Sequence, residues 1–385
     1  MSALSHTLDI LTRLVAFDTT SRNSNLALID WVEAYLAARG VESRRAPSPD
    51  GAKANLFAVI GPPVPGGVVL SGHTDVVPVD GQPWTSDPWT VTEREGRLFG
   101  RGVADMKGFV ALALAHAEAA RDAGLKRPIM LAFSYDEEVG CLGAPHLIAA
   151  MADAVPTPSA VIVGEPTSMR VLSGHKGIST FTVTVEGREA HSSQTQQGVS
   201  AVMEALPLMQ LVAEMGREAA AKADPATPFT PPEATMTVGV VEGGTAVNIL
   251  ARRCTFVWDL RCPPGDDPEV YAQRFLAAAA AADARIKARA PEGGVTVVRR
   301  SSTPALHIHR DSEAEQLARA LTGDNGLEAA AFAAEGGLFQ RAGWPTVVCG
   351  PGSIAQAHQP DEWIEIAQLE KGAAFMRDLI ARLSR

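Results

Sequence analysis

Along the chain, short β-rich apolar runs alternate with segments whose apolar residues recur at helical spacing. That alternation predicts an α/β fold, a mostly parallel sheet flanked by helices on both faces. Four runs carry the argument, at 67–70, 129–133, 160–163 and 346–349, each followed at once by Gly, Ser, Asp or Glu. Ligands of open α/β sheets bind beyond the carboxyl ends of the strands, so the polar residues after these runs are where chemistry is expected.

From about residue 175 the pattern changes. A strand-like stretch at 180–185, a long helix at about 199–221, a Pro-rich break at 225–232 and strands at 235–241 and 254–259 follow in turn. A second helix begins at Asp267-Pro268, where Asp can cap and Pro suits the first helical position. A final strand at 294–298 completes a βαββαβ unit. The expected division is a larger domain over 1–174 and 294–385, closing on an amphipathic helix at 364–383, with a smaller α+β domain inserted at 175–293. A length of 385 residues agrees, because single cores stop growing before about 250–300 residues.

Composition narrows the partners. The formal charge of −10 and the lack of a dense basic cluster argue against nucleic acid and anionic lipid. No apolar run approaches the roughly 20 residues that span a bilayer. The first 17 residues have a helical apolar pattern broken by His6, Asp9 and Arg13, unlike a signal peptide, so a cytoplasmic protein without membrane contact is expected. Cys141, Cys254, Cys262 and Cys349 form no CxxC pair, which speaks against a zinc ribbon or redox motif.

The chemistry lies in five short stretches. His73 and Asp75 follow the first run two residues apart, on the same side of an extended segment, so that the acid could hold the imidazole. Asp105 sits in a Gly-flanked loop before a helix at 108–121. Asp136, Glu137 and Glu138 follow the second run, and three adjacent acids repel unless a cation or solvent compensates them. Glu165 follows the third run, and His358 lies a short loop beyond the fourth. Each alone also reads as a turn, a cap or a solvated loop. Together they put carboxylates and imidazoles, without thiolate, where adjacent strands point. That donor set suits a catalytic zinc pair, with one acid bridging the ions and another left as general base, and it equally suits cobalt or manganese.

These stretches resemble the dinuclear zinc aminoacylase and exopeptidase family, which includes acetylornithine deacetylases, succinyl-diaminopimelate desuccinylases and glutamate carboxypeptidases. The likeness covers nearly the whole chain through SGHTDVVP at 71–78, GRGVADMKG at 100–108, DEEVG at 136–140, GEPT at 164–167 and AHQPDE at 357–362. It implies that Asp105 bridges two zinc ions, that His73 and Glu165 complete one site and Glu138 and His358 the other, that Glu137 is the general base, and that Asp75 holds His73. Within the family, GHKG at 174–177, AHSS at 190–193, GGTAVNI at 243–249 and VCGPGSIAQAH at 348–358 resemble its acetylornithine deacetylase branch. This implies removal of an acyl group from an N-acyl amino acid, with N-acetylornithine giving ornithine and acetate in arginine biosynthesis. A succinyl-diaminopimelate desuccinylase and a broader N-acyl amino acid deacylase are the alternatives. The chain departs from the pattern at Ala333-Ala334-Glu335-Gly336-Gly337, where such enzymes often carry a hydroxyl residue and an acid, and at Gln359, where a basic residue is usual.

The resemblance further implies a homodimer formed through the smaller lid domain. His191 is then an oxyanion donor reaching the partner's site, and Asn248, Arg261 and Glu335 bind substrate. Asn and His are also common in turns, and Arg261 reads equally as a solvated strand end. His307 and His309 alternate without an acid in register, His116 and His146 sit in helix-like segments, and no strand-GxGxxG-helix arrangement supports a dinucleotide. A metal-free binding protein on the same fold is the non-enzyme alternative, disfavoured because every ligand candidate and Glu137 are present.

Overall fold

The computed structural model describes residues 3–385; of the expected N-terminal helix, Ala3–Val15 lies within them. The chain forms two compact units, one running to Gly174 and comprising also Leu306–Ala329 and Ala334–Arg385, the other made of His175–Ala305 and Ala330–Ala333.

The larger unit holds an eight-stranded sheet in the order Ser43–Pro47, Ala54–Ile60, Ile129–Ser134, Gly67–His73, Pro158–Val163, Thr346–Val348, Leu172–His175, Glu328–Ala330. Its centre is parallel: Gly67–His73 runs alongside both Ile129–Ser134 and Pro158–Val163, and Thr346–Val348 alongside Pro158–Val163. Toward the edges the pairing turns antiparallel. Every residue of Gly67–His73 and Ile129–Ser134 is buried, as expected for strands covered by helices on both faces. Leu112, Phe109, Leu131, Phe133, Leu379 and Phe375 belong to one apolar cluster that joins sheet and helices. A three-stranded sheet of Thr92–Arg94, Arg97–Phe99 and Trp363–Glu365 was not expected from the sequence. Its strands are too short to show a period. The helix expected at 108–121 is two, Lys107–Ala115 and Ala117–Asp122, divided at His116.

The smaller unit is an antiparallel sheet in the order Thr235–Gly243, Arg253–Cys262, Gly177–Glu186, Gly294–Thr303, with helices Ala201–Ala220 and Pro268–Lys287. Alternate residues of Gly177–Glu186 are buried, the two-residue period of a sheet with one face on a core. That core centres on Trp258, whose ring lies 4.4 Å from Phe181 and 4.7 Å from Phe275. The boundary expected at 293 needs correction. Gly294–Thr303 registers along Gly177–Glu186 from Gly294 opposite Glu186 to Thr303 opposite Ile178, and Val295 and Val297 pack on this core. The segment at 294–305 therefore belongs to the smaller unit. Its Arg-Arg-Ser-Ser-Thr end reads as a loop only while its partner strand is unknown.

All four cysteines are buried thiols, and no disulfide is present among the described residues. Among the described residues no helix is long and apolar enough to cross a membrane.

Candidate functional site

The parallel strands of the larger unit end together and deliver the expected residues to one place. His73 is the last residue of its strand, Asp136–Glu138 follow Ile129–Ser134, Glu165 follows Pro158–Val163, and His358 lies beyond Thr346–Val348. Asp105 comes from the loop before Lys107–Ala115. The Nδ1–H of His73 donates to the main-chain carbonyl of Asp75 at 2.9 Å, because a carbonyl can only accept. This fixes the tautomer and turns Nε2 toward Asp105 Oδ1 at 3.0 Å and Glu165 Oε1 at 3.9 Å. On the other side of the same carboxylate, His358 Nε2 lies 3.3 Å from Asp105 Oδ2 and 3.0 Å from Glu138 Oε2.

The Asp75 carboxylate has a different task from the one expected. It stands 3.7 Å from His73 Nδ1, beyond hydrogen-bond reach. Instead it accepts from Ser21 Oγ at 2.7 Å and from the backbone N–H groups of Glu137 at 3.1 Å and Glu138 at 3.3 Å. The ring is held by the main chain of Asp75, and the side chain turns to the acidic turn.

The electrostatics call for a cation. Burial, with Asp105 and other acids adding to it, pushes the Glu165 carboxyl well above its ordinary range, and burial with Asp105 pushes Glu138 up to about 7; Glu137 is raised well above by burial, with His73 opposing and the neighbouring acids adding. Burial lowers the His73 imidazole, but hydrogen bonding to Asp105 and the charges of Glu165 and Glu137 outweigh it and hold the ring well above its usual value. Buried Glu138 Oε1 and Glu165 Oε1 have no hydrogen-bond partner, and buried carboxylates without partners are costly. With Nδ1 donating to a carbonyl, His73 can give Nε2 to a metal ion in place of the proton it otherwise holds toward Asp105. Metal ions between these groups would satisfy all of them, and the residues fit. His73, Asp105 and Glu138 bring ligand atoms within 4.8 Å of one another, as do His73, Glu137 and Glu165.

The comparisons with known proteins agree. Residues 69–382 match Peptidase family M20/M25/M40. The chain belongs to this family. Acetylornithine deacetylase of Myxococcus xanthus is 35% identical over 376 residues, covering 96% of each chain. That of Proteus mirabilis is 34% identical over 373 residues, 95% of this chain and 92% of the relative. An M20-family metallo-carboxypeptidase from Sulfolobus solfataricus has a TM-score of 0.80 at 17% identity, covering 98% of this chain and 99% of that one. A dinuclear metal-binding M20 peptidase from Bacillus subtilis has a TM-score of 0.63 at 12% identity over 99% and 98% of the two chains. This M20-family chain is thus a metal-dependent hydrolase of amide bonds.

Two residues of this M20 site were not singled out by the sequence reading. Glu362, buried, accepts from Arg101 Nη1 at 2.8 Å and from the N–H groups of Gly102, Ala104 and Asp105 at 2.9–3.1 Å, fixing the loop that carries Asp105. Both lie inside quoted motifs, but nothing in the letters tells that they pair. The Cys141 thiol donates to Glu137 Oε1 at 3.3 Å.

Of the remaining candidates, Glu335 lies beside the acidic cluster, close enough for its charge to help raise Glu137 and for His73 to act on it in turn. Glu335 is buried and its Oε2 accepts from Ser71 Oγ at 3.1 Å. In the smaller unit, His191 is exposed; Ser193 N–H donates to its Nδ1 at 3.2 Å, which leaves the proton on Nε2. Asn248 is exposed, its main-chain oxygen accepting from Ser192 N–H at 2.9 Å. Arg261 Nε donates to Asp259 Oδ2 at 3.0 Å. His307 is exposed and its main chain pairs with the Gln340 amide.

Proposed function

We propose that the protein is a zinc-dependent, cytoplasmic homodimer that hydrolyses N-acetylornithine to ornithine and acetate, a step of arginine biosynthesis. One observation carries the metal chemistry: the two oxygens of Asp105 face two different histidines, His73 and His358. The identity of 32–35% to curated acetylornithine deacetylases along nearly the whole chain supports the substrate.

Asp105 would bridge the ions, with His73 and Glu165 on one and Glu138 and His358 on the other, and Asp75 ordering the acidic turn beside them. When bound, such a pair polarises the acyl carbonyl and acidifies a water. Glu137 would accept a proton from the attacking water as the water oxygen bonds to the acyl carbon, and return it to the departing amine nitrogen as the C–N bond breaks. From the smaller unit, His191 with its proton on Nε2 acts as the oxyanion donor toward the partner's site, and Asn248 and Arg261 bind the substrate's oxygens. Glu335 assists in substrate binding. The dimer is supported by an apolar strip on the smaller unit, where the sheet-edge strand Thr235–Gly243 exposes Val240 and Val241 and the helix Ala201–Ala220 packed on that strand exposes Met203 and Leu206, since open edges and apolar patches are normally covered.

Steady-state kcat/KM on N-acetylornithine, N-succinyl-diaminopimelate and N-acetylmethionine tests the reading. N-acetylornithine should be preferred by at least about tenfold, a difference of about 1.4 kcal/mol in transition-state binding. Preference for either of the others would overturn the substrate while leaving the reaction class in place.

A further inference from the structure

The segment from Thr19 to Asn25 precedes every motif that carries ligands, yet it is tied along the strand end that bears His73. Thr19 Oγ1 donates to the Thr74 carbonyl at 2.6 Å, Val76 N–H donates to the Thr19 carbonyl at 3.1 Å, and Ser21 N–H to the Val76 carbonyl at 3.2 Å. Asn25 Nδ2 reaches Thr74 Oγ1 at 3.0 Å. Two tie points lead from this brace to the acidic turn. The first is Ser21 Oγ, which donates to Asp75 Oδ2 at 2.7 Å while the same carboxylate receives the N–H groups of Glu137 and Glu138. The second is Lys53, whose ammonium donates to both the Ser21 carbonyl and Asp136 Oδ1. Lys53 and Asp136 are largely buried, and Asp136 has a left-handed φ of 55°, a conformation that a non-Gly residue keeps only where its surroundings hold it.

We infer that Ser21 and Lys53 are positioning residues that set the acidic turn, and with it Glu137, through the carboxylates of Asp75 and Asp136. Neither touches a ligand atom. Without the Ser21 hydroxyl, Asp75 loses its shortest donor, and the two N–H groups it holds lose a fixed acceptor. Without Lys53, Asp136 loses the cation that compensates its burial, at the residue where the chain turns. The outcome is a base held less accurately over the scissile amide, and misplacement by about 1 Å costs about 10² in rate.

The inference rests on the proposed role of Glu137, and the test separates the two. In Ser21→Ala and Lys53→Met, kcat should fall about 10- to 100-fold with KM and metal content retained, and Ser21→Thr, which keeps the hydroxyl, should recover most of the loss. Backbone amide exchange at Glu137 and Glu138 should accelerate about tenfold in Ser21→Ala, a local opening without a matching drop in the unfolding midpoint. Placed on Glu137→Gln, Ser21→Ala should cost little more, because residues acting as one unit are not additive. Unchanged amide exchange, or a full additional loss on Glu137→Gln, would overturn the positioning role. Near-normal turnover of Glu137→Gln alone would instead remove the base assignment on which it rests.

Discussion

Arg101 Nη1 meets Glu362 Oε2 at 2.8 Å with both side chains 1% exposed, and the same carboxylate takes three N–H groups of the loop that presents Asp105. Replacing Arg101 by Met leaves a buried carboxylate without its cation, which typically costs about 3–5 kcal/mol. The loop would loosen as well, and losing such a support typically weakens metal affinity about 10- to 100-fold. Urea unfolding and chelator competition on Arg101→Met measure the two effects, and wild-type values of both would deny the clamp.

Gly164 sets Glu165 against the helix Lys107–Ala115. A Cβ at this position would lie 2.0–2.3 Å from ring atoms of Phe109, and Phe109 is buried in the core. Gly164→Ala should therefore destabilise the protein by about 1–3 kcal/mol or more through overpacking. Its relief would move the Glu165 loop. Equilibrium unfolding together with metal content checks this, and an unperturbed variant would mean that Phe109 repacks at no cost.

His175 supplies a pH dependence away from the metal candidates. Burial drives its imidazole down to about 4, while its Nδ1–H donates to the Lys176 carbonyl. The unfolded imidazole titrates near 6.5, so between these values the unfolded chain binds a proton that the folded chain refuses. Stability is full above about pH 6.5 and is lost as the pH falls toward 4, by about 3 kcal/mol in all. The difference in unfolding free energy between wild type and His175→Gln should shrink by that order from pH 7 to pH 4. A constant difference would show that the imidazole is not held neutral.

Much of this was legible in the sequence. Apolar runs followed by polar residues located His73, Asp136–Glu138 and Glu165 at or just past strand ends, and His358 a short loop beyond one, because a parallel sheet gathers its carboxyl termini in one place. The strand-like stretch at 180–185 likewise marked the smaller sheet, within the observed strand Gly177–Glu186. What stayed hidden depends on distant partners. The last strand of that sheet ends in Ser301, Ser302 and Thr303, whose strand character comes only from Gly177–Glu186. Asp75 was read as the holder of a ring two residues away, whereas its carboxylate serves Glu137 and Ser21, 62 and 54 positions distant. Glu362 and Arg101 are 261 residues apart, and no local pattern joins them.

The central claim is that buried acids and two histidines hold metal ions beside Glu137, which moves the proton. Glu137→Gln tests it most directly, with metal content by atomic spectroscopy and kcat on N-acetylornithine measured on the same preparation. The account predicts about two metals per subunit retained and kcat reduced about 10² to 10⁴-fold, the usual cost of losing a general base. Near-normal turnover would contradict the assignment, and loss of the metals would make Glu137 a ligand, as its place within 4.8 Å of His73 and Glu165 donor atoms allows.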